Sequence, residues 1–295
     1  MSQKRTPAKY VWRADELLEL QTRGVILLGR LDYMNVVQLA RNASGEEIVV
    51  KSMRHDSNEL KMLRKLLSLP STRNRVVPCE FIPCEDTTLA IMPALHALEG
   101  YIPDRFTVEE VLDIMGQFIE AVDFMHEHRI AFGDVAFGNA IHSLETTLMH
   151  IGPWKIPPNR IYFIDFEAAR SFPNGPGEGL RINDWLDYGG HFEPPEGRDG
   201  VDPYSYDVYS LGQSIFEFCK LGRRQLFSVP RSLSCVLDSM RSDDPLQRPA
   251  IRRISQMFPV LRYWVVKTQW LYQMLPRQLA GSIDYYGWRL LSMFT

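Results

Sequence analysis

The chain lacks the features that mark several large classes of protein. Its formal net charge over 295 residues is only −3, without the basic excess that usually accompanies nucleic-acid binding, so no nucleic-acid partner is expected. The N-terminus has no apolar core of a signal peptide, and no apolar run is long enough to cross a membrane. We therefore expect an intracellular protein of the cytoplasm or nucleus, with no transmembrane segment.

Cysteine is scarce, and its spacing gives no sign of a metal site. The four cysteines, at positions 79, 84, 219 and 235, contain no C-x-x-C pair. Cys79 and Cys84 could pair in an oxidising compartment, but the expected intracellular location favours four reduced thiols. Repeats and low-complexity tracts are also missing, so a repeat architecture is not expected.

Hydrophobic residues make up 45% of the chain, enough for a large core in one bilobal unit or two domains. The first third of the sequence reads mainly as short strands. The apolar segments that predict strands are GVILLG (24–29), VVQLAR (36–41), EIVVKSM (47–53) and TLAIMPA (88–94). Between them, residues 58–69 have helical periodicity and end at Pro70.

The rest of the chain is mainly helical. Residues 107–128 keep an apolar stripe at helical spacing, and Thr107 with Glu110 three positions later predicts a capping box at the start. Residues 207–222 are apolar on several faces, which predicts a central helix. A small strand-rich lobe and a larger helical lobe, joined near residues 93–97, are therefore expected.

Five polar residues stand at informative places along this pattern. Lys51 ends the strand segment IVVK, Glu59 lies on the next helix, and Asp165 ends a further strand segment, IYFID. Asp134 and Asn139 lie five residues apart in a loop after the long helix. Each alone has an ordinary explanation, because strand-end lysines usually reach water and aspartates are common in turns. Their order along the chain is what points to one site.

That order resembles the eukaryotic protein kinase family. The segments that carry the resemblance are VVK (49–51) for the VAIK strand, ELKMLRKL (59–66) for the helix C pattern, FGDVAFGN (132–139) for HRDLKxxN, DFE (165–167) for DFG, PPE (194–196) for APE, DVYSLG (207–212) for DVWSxG and DPLQRPAI (244–251) for D-x-x-x-R-P. The resemblance covers about residues 25–255. With its hinge segment IMPAL (91–95) and FMHEH (124–128) before the catalytic loop, this divergent chain resembles kinase sets that are expanded in mushroom-forming fungi.

The resemblance implies an α+β, bilobal protein kinase-like fold. A small antiparallel β-sheet N-lobe would carry helix C, and the larger C-lobe would be mainly α-helical. The implied segments are an N-terminal extension (1–22), the N-lobe (23–94), the C-lobe (95–260) and an aromatic-rich C-terminal tail (261–295). The tail is expected to pack on or beside the C-lobe, since aromatic stripes are usually core; contact with a membrane surface is the alternative.

The resemblance also implies ATP and Mg²⁺ as cofactors and gives each polar residue a role. Lys51 would hold the α- and β-phosphates, and Glu59 would orient it. Asp134 would accept or steer the proton of the attacking hydroxyl. Asn139 and Asp165 would hold Mg²⁺, for which oxygen ligands are suited.

Further residues are implied to bind the nucleotide. They are Gly29, Val36, Val49, Lys51, Met92, Pro93, Ala94, Leu95 and Ile141. Val36 and Val49 would flank the adenine ring, and Met92 would be the gatekeeper. The backbone of residues 93–95 would be the hinge that hydrogen-bonds adenine.

Several positions depart from the family pattern. Leu31 and Met34 stand where the glycine-rich loop should have its second and third glycines, which predicts a weaker grip on phosphates. Gly133 and Ala136 stand where the catalytic loop should have its arginine and lysine. The missing cation at position 136 predicts a rate loss of about 10²–10³.

Two further departures concern the second aspartate. Glu167 replaces the glycine of DFG and could either ligate Mg²⁺ or distort the turn. Residues 142–160 form an insertion with three prolines, which predicts an exposed hairpin or loop.

Three functions remain open on these grounds. The first is a protein kinase that transfers the γ-phosphate of ATP to serine or threonine hydroxyls of a protein substrate. The second is a pseudokinase that binds nucleotide or a partner protein without catalysis. The third is a small-molecule phosphotransferase, but an expected ion pair between Glu196 and Arg248, which would brace a peptide-binding segment, favours the protein kinase.

Overall fold

A computed structural model describes residues 9–99, 107–143, 145–184, 190–221 and 229–292. Residues 1–8 of the expected N-terminal extension and residues 293–295 of the expected tail lie outside these ranges. The described residues form a mixed α+β structure, so the expected fold class is confirmed at this level. Within them, no helix combines the length and apolar character needed to cross a bilayer.

Strands concentrate in the first half of the chain and helices in the second. The strands are β1 Ile26–Arg30, β2 Val37–Arg41, β3 Glu47–Arg54, β4 Glu80–Pro83, β5 Thr87–Pro93, β6 His96–Ala97, β7 Ile130–Ala131, β8 Ala140–His142, β9 Met149–Ile151, β10 Trp154–Ile156, β11 Ile161–Phe163 and β12 Arg170–Ser171. The α-helices are α1 Ala14–Thr22, α2 Asn58–Leu67, α3 Val108–Glu127, α4 Pro203–Leu221, α5 Arg231–Met240, α6 Ile251–Thr268, α7 Leu271–Met274 and α8 Arg277–Leu291.

The chain divides into two compact units. The first unit comprises Met1–Leu69, Val76–His96 and Ile141–Glu167. The second comprises Pro70–Arg75, Ala97–Ala140 and Ala168–Thr295.

The first unit is built on a five-stranded antiparallel sheet with strand order β1-β2-β3-β5-β4. Alternation along β3 decides its two faces: Ile48 and Val50 are buried in a core cluster with Leu20 of α1, whereas Val49 and Lys51 are half-buried on the opposite face. The four predicted strands are confirmed as β1, β2, β3 and β5, with their ends shifted by two residues at most. The predicted helix is confirmed as α2.

The insertion also belongs to the first unit. Its strands β9 and β10 form an antiparallel hairpin, so the expected hairpin is confirmed. It is not simply exposed, because Ile151 is buried in the same core cluster as Ile48. The backbone N–H of Gly152 donates to the Glu46 carboxylate at 2.9 Å and fixes the hairpin tip to the turn between β2 and β3.

The second unit is mainly helical. Helix α3 begins with the predicted capping box: the Thr107 hydroxyl accepts from the Glu110 N–H at 3.2 Å, and the Glu110 carboxylate accepts from the Thr107 N–H at 2.7 Å. The predicted central helix is confirmed as α4, although it begins four residues earlier, at Pro203. Short strand β7 follows α3 and pairs with β12.

The aromatic-rich C-terminal segment packs within the second unit. Asp284 of α8 is fully buried and accepts hydrogen bonds from Ser232 of α5, at 2.8 and 2.9 Å, and from the Trp264 indole of α6 at 2.7 Å. The Tyr272 hydroxyl of α7 donates to the same carboxylate at 2.8 Å. One buried carboxylate therefore joins four helices.

Candidate functional site

One face of the five-stranded sheet carries several predicted nucleotide-binding residues. The register pairs Gly29 with Leu39, Leu39 with Val49, and Val49 with Met92 across β1, β2, β3 and β5. These four residues therefore form one row on the face opposite the Ile48 core cluster. A Cβ placed on Gly29 would meet nothing within 4 Å, so the β1 end of the row is open. The row is an apolar surface against which a flat ring can pack.

The next row along the same face contains the predicted lysine. Val37 pairs with Lys51, and Lys51 pairs with Ala90. Val36 lies just before β2, where its carbonyl accepts the N–H of Ser52 at 3.0 Å. The lysine therefore lies directly beside the apolar row.

Lys51 makes two ionic contacts in the first unit. Its ammonium Nζ lies 2.7 Å from Glu59 Oε1 and 3.4 Å from Asp165 Oδ1. Burial alone would lower the pKa of Lys51, but the negative charges of Glu59 and Asp165 outweigh it and raise that pKa above its ordinary value. Lys51 is therefore a cation at neutral pH. The expected pairing of Lys51 with Glu59 is present.

The start of α2 explains how a glutamate only eight residues after Lys51 reaches it. The Ser57 hydroxyl caps the helix by accepting the Leu60 N–H at 3.3 Å. The Asn58 side chain donates to the Glu167 carbonyl at 3.0 Å, and the Phe166 N–H donates to the Glu59 carboxylate. The first turn of α2 is therefore fastened to the segment that carries Asp165.

The segment around the second aspartate has an unusual backbone. Asp165 has φ = 60°, in the left-handed region that non-glycine residues rarely occupy, and its side chain is about half exposed. Glu167 is exposed. Strain of this kind is often kept at ligand sites.

The predicted hinge leaves the sheet at Pro93, which pairs with Ile48 at the end of β5. The Ala94 N–H donates a long hydrogen bond, 3.4 Å, to the Glu47 carbonyl. The Leu95 side chain packs on the Ile48 core cluster, away from the row that contains Val49, so only its backbone remains for a ligand. Ile141 is buried in β8, beside β11.

The loop from residue 31 to residue 36 is held by the segment that precedes α1. The Tyr10 N–H donates to the Met34 carbonyl at 2.8 Å, and the Asn35 side chain donates to the Tyr10 carbonyl at 2.9 Å. The Trp12 indole donates to the Asn35 carbonyl at 2.9 Å. Sequence reasoning found the missing glycines but not this N-terminal brace.

In the second unit, Asp134 and Asn139 are brought together. The Asn139 amide nitrogen donates to Asp134 Oδ2 at 2.7 Å and to the Asp134 carbonyl at 2.9 Å. Because both hydrogens of this amide have acceptors, the oxygen Oδ1 is the atom of Asn139 that remains for a ligand. Asp134 Oδ1 accepts from the N–H of His191 at 2.7 Å and from its ring nitrogen Nδ1 at 2.8 Å.

The loop around Asp134 is fixed by a buried carboxylate that sequence reasoning did not single out. Asp207, at 0% exposure, accepts from the Phe132 N–H at 2.7 Å and from the Gly133 N–H at 2.8 Å. His126 Nε2 lies 2.9 Å from the same side chain. Gly133 has φ = 79°, which suits glycine and would strain the arginine that the family pattern places there.

Two serines on the same face of α4 continue this support. The hydroxyls of Ser210 and Ser214 both donate to the Val135 carbonyl, at 3.0 and 2.8 Å. With Asp207 they follow an i, i+3, i+7 spacing, which places all three on one side of the helix. The backbone on both sides of Asp134 is therefore rigidly held, while buried Ala136 supplies no charge.

The expected ion pair between Glu196 and Arg248 is confirmed. Arg248 Nη2 lies 2.6 Å from Glu196 Oε2, and Nη1 lies 3.0 Å from Oε1, so the contact is bidentate. The guanidinium also lies over the Tyr209 ring, 4.9 Å from its centroid. A buried pair of this geometry fixes the segment that carries Glu196 to the start of α6.

Each unit contributes one oxygen donor of the kind that Mg²⁺ takes: the Asp165 carboxylate in the first unit and Asn139 Oδ1 in the second. A carboxylate and an amide oxygen are hard ligands, and Mg²⁺ usually keeps several waters and takes few protein ligands. The described residues contain no cluster of three or more His, Cys, Asp or Glu side chains that could enclose a metal.

Comparisons with known proteins identify no family. No protein-family model matches the chain, and no curated protein matches it.

Residues that sequence reasoning missed are of two kinds. Leu39 completes the row on the sheet and could have been found from strand alternation, since it alternates with buried Gln38 and Ala40. Asp207 is the first residue of the DVYSLG motif, but its contact with the Asp134 loop was not predicted. His191 lies in no motif, and both residues reach that loop from more than 50 positions away.

Proposed function

We propose that the chain is a divergent phosphotransferase that moves the γ-phosphate of ATP to serine or threonine hydroxyls of a protein substrate. Its two units would correspond to the small and large lobes of a protein kinase-like fold. The observation that carries the proposal is the contact of Lys51 with both Glu59 and Asp165. Strand β3, helix α2 and the segment after β11, which ends at Phe163 and not at Asp165 as predicted, supply these three groups in the order that the motifs predict.

The first unit offers the groups that a nucleotide needs. The row of Gly29, Leu39, Val49 and Met92 supplies an apolar surface for adenine, and the Lys51 ammonium beside it supplies a cation for the α- and β-phosphates. Phosphoryl transfer depends on positioning and charge neutralisation, and a lysine fixed by two carboxylates is well positioned.

The second unit offers a proton acceptor. Asp134 has one carboxylate oxygen bound by His191 and the other by Asn139, and a carboxylate has about four acceptor sites. Three donors leave one site, on Oδ2, for the hydroxyl of a substrate. Asp134 would orient that hydroxyl and take its proton as the bond to phosphorus forms.

Asn139 and Asp165 would hold Mg²⁺ through Oδ1 and the carboxylate. When bound, the cation would neutralise charge on the phosphate oxygens. Asn139 and Asp165 are the two protein ligands proposed for Mg²⁺. Glu167, which is exposed, has no proposed role in the metal site.

A protein substrate is favoured over a small molecule by the pair of Glu196 and Arg248. The bidentate contact fixes the segment after the Asp165 motif, where peptide-binding enzymes that resemble this chain hold their substrate. Small-molecule phosphotransferases share the nucleotide-binding residues with protein kinases but lack this ion pair.

A nucleotide-binding module without catalysis is the second candidate. The observation that favours it is the absence of a charged side chain at Gly133 and Ala136, which flank Asp134. With no cation there, the transition state loses a charge contact worth about 10²–10³ in rate.

Two measurements decide between these candidates. In a thermal-shift titration with ATP and Mg²⁺, nucleotide at 100 times its Kd should stabilise the chain by about 2.7 kcal/mol, and Lys51→Met should remove the shift. Phosphate transfer from labelled ATP to a protein and peptide pool should be seen for the wild type and lost in Asp134→Asn. Asp243→Asn, at an exposed aspartate, is the matched control and should keep both signals.

Each outcome has a clear meaning. Binding without transfer on any substrate pool would leave the non-catalytic module. Transfer to metabolites but not to proteins would favour the small-molecule enzyme. No thermal shift with ATP and Mg²⁺ would contradict both nucleotide-dependent candidates.

A further inference from the structure

We propose that His191 is the positioning residue of Asp134 and holds its carboxylate in the orientation that accepts the proton of the substrate hydroxyl. The inference rests on the proposed phosphotransfer and deepens it, because it assigns the orientation of the proton acceptor to a residue outside the catalytic-loop motif. His191 lies 57 residues after Asp134 along the chain.

The geometry is a double contact from one residue to one oxygen. The backbone N–H of His191 lies 2.7 Å from Asp134 Oδ1, and its ring Nδ1 lies 2.8 Å from the same atom. Because a carboxylate only accepts hydrogen bonds, the ring must carry its hydrogen on Nδ1. With Asn139 on Oδ2, the carboxylate cannot rotate without losing donors on both sides.

The segment that carries His191 is anchored to the helix that also anchors the Asp134 loop. The fully buried Tyr206 donates its hydroxyl to the Phe192 carbonyl at 2.5 Å, and burial raises the Tyr206 pKa, so the hydroxyl stays a donor. The next residue, Asp207, holds the loop on the other side. Adjacent residues of α4 thus fix both partners of the His191 contact.

Two glycines, Gly190 and Gly138, lie next to His191. Gly190, directly before it, has φ = 151°, which favours glycine. A Cβ on Gly138 would lie 3.5 Å from His191 Nε2 and 3.0 Å from Glu99 Oε2. The imidazole therefore lies near Gly138 at an ordinary contact distance from an added Cβ, whereas the Glu99 carboxylate is the group that a side chain at position 138 would crowd.

Substitution at position 191 tests the role. His191→Phe removes the ring donor and keeps the backbone N–H, whereas His191→Asn restores an N–H close to the position of Nδ1. We expect His191→Phe to lower kcat for phosphate transfer by about tenfold to a hundredfold with little change in KM for ATP, and His191→Asn to recover most of the rate. His150→Phe, at an exposed histidine of the first unit, should behave as the wild type.

A structural readout separates this proposal from the proposed function. Nitrogen-15 NMR of the imidazole should show His191 with its hydrogen on Nδ1, and Asp134→Asn should change that spectrum. Normal transfer by His191→Phe, or equal losses in the Phe and Asn variants, would overturn the positioning role. So would a wild-type spectrum with the hydrogen on Nε2. Absence of transfer by the wild type would contradict the proposed function itself, and with it the positioning role of His191 in transfer.

Discussion

Asp207 is the residue on which the geometry of the Asp134 loop depends most directly. Its buried carboxylate accepts two backbone N–H groups, from Phe132 and Gly133, and contacts the His126 ring. Three donors meeting on one carboxylate require both of its oxygens. An asparagine side chain at this position has only one acceptor oxygen. Its NH₂ group would face one of the three donors instead of accepting its hydrogen bond.

Asp207→Asn should therefore destabilise the second unit and disturb the loop. We expect a loss of about 3 kcal/mol in the free energy of unfolding, because at least one buried donor loses its acceptor. Urea denaturation followed by fluorescence measures the loss. Asp243→Asn is the control, and it should change stability by less than about 0.5 kcal/mol. A loss below 1 kcal/mol for Asp207→Asn would mean that the carboxylate does not hold the loop.

The pair of Glu196 and Arg248 tests a second buried charge. Removing one partner leaves the other buried and unpaired, which typically costs about 3–5 kcal/mol. We expect Arg248→Met to lose stability in that range and the Glu196→Gln, Arg248→Met double variant to lose less than the sum. A double-mutant cycle from urea unfolding measures the coupling. Additive losses would show that the contact contributes nothing beyond the two separate sites.

At the scale of elements, the N-terminal segment acts as a brace for the loop between β1 and β2. Tyr10 and Trp12 make three hydrogen bonds with this loop, one with Met34 and two with Asn35. Asn35 has φ = 67°, so glycine suits its backbone and alanine does not. Leu31 and Met34 stand where the kinase pattern that this chain resembles has glycines. Their bulk is compatible with a loop that protein contacts hold in place.

Substitution of Asn35 separates the two effects. Asn35→Gly removes the side-chain contacts but fits the backbone, whereas Asn35→Ala also strains it, so alanine should lower the free energy of unfolding by about 1 kcal/mol more than glycine. Hydrogen exchange of residues 31–36 should accelerate in both variants. Unchanged exchange would contradict a brace made by these bonds.

The elements that sequence reasoning found are those whose pattern repeats. Alternation identified β1, β2, β3 and β5, and the stripe with its capping box identified α3. Helix α1 was missed because its Glu16 is fully buried, where the Tyr10, Ser52 and Thr87 hydroxyls all bind its carboxylate. In a hydrophobicity pattern, a buried glutamate cannot be distinguished from one that faces solvent. Strand β4 is only four residues long and ends at Pro83. Four positions are too few for an alternation of buried and exposed residues to be recognised in the sequence.

Some contacts of the candidate site were likewise predicted from the sequence, and others were not. The positions of Lys51, Glu59 and Asp165 followed from their order along the chain, and the structure joins them within the first unit. The contacts of Asp134 with His191 did not follow, because they depend on where a glycine-rich segment returns in space. Motif order predicts which residues matter, and tertiary contacts decide which neighbours hold them.

At the scale of the whole molecule, the four thiols provide a test that reaches both units. None of the four cysteines forms a disulfide in the part of the chain that the structure describes, and Cys219 is buried. Burial raises the pKa of Cys79 and Cys219 to about 12 and that of Cys84 to about 11, and it also raises the pKa of Cys235. The thiolate is the reactive form, so a raised pKa lowers reactivity.

Alkylation of the native protein should therefore be slow at every thiol. At pH 8, a thiol with a pKa near 12 is ionised in only about one molecule in ten thousand, against roughly a quarter for a free cysteine. Iodoacetamide labelling with mass spectrometry should give rates well below that of glutathione for all four cysteines, with Cys79 and Cys219 slowest. In urea, all four should approach the glutathione rate. Fast labelling of Cys219 in the native protein would mean that α4 opens readily, which is incompatible with α4 as the rigid support of the Asp134 loop.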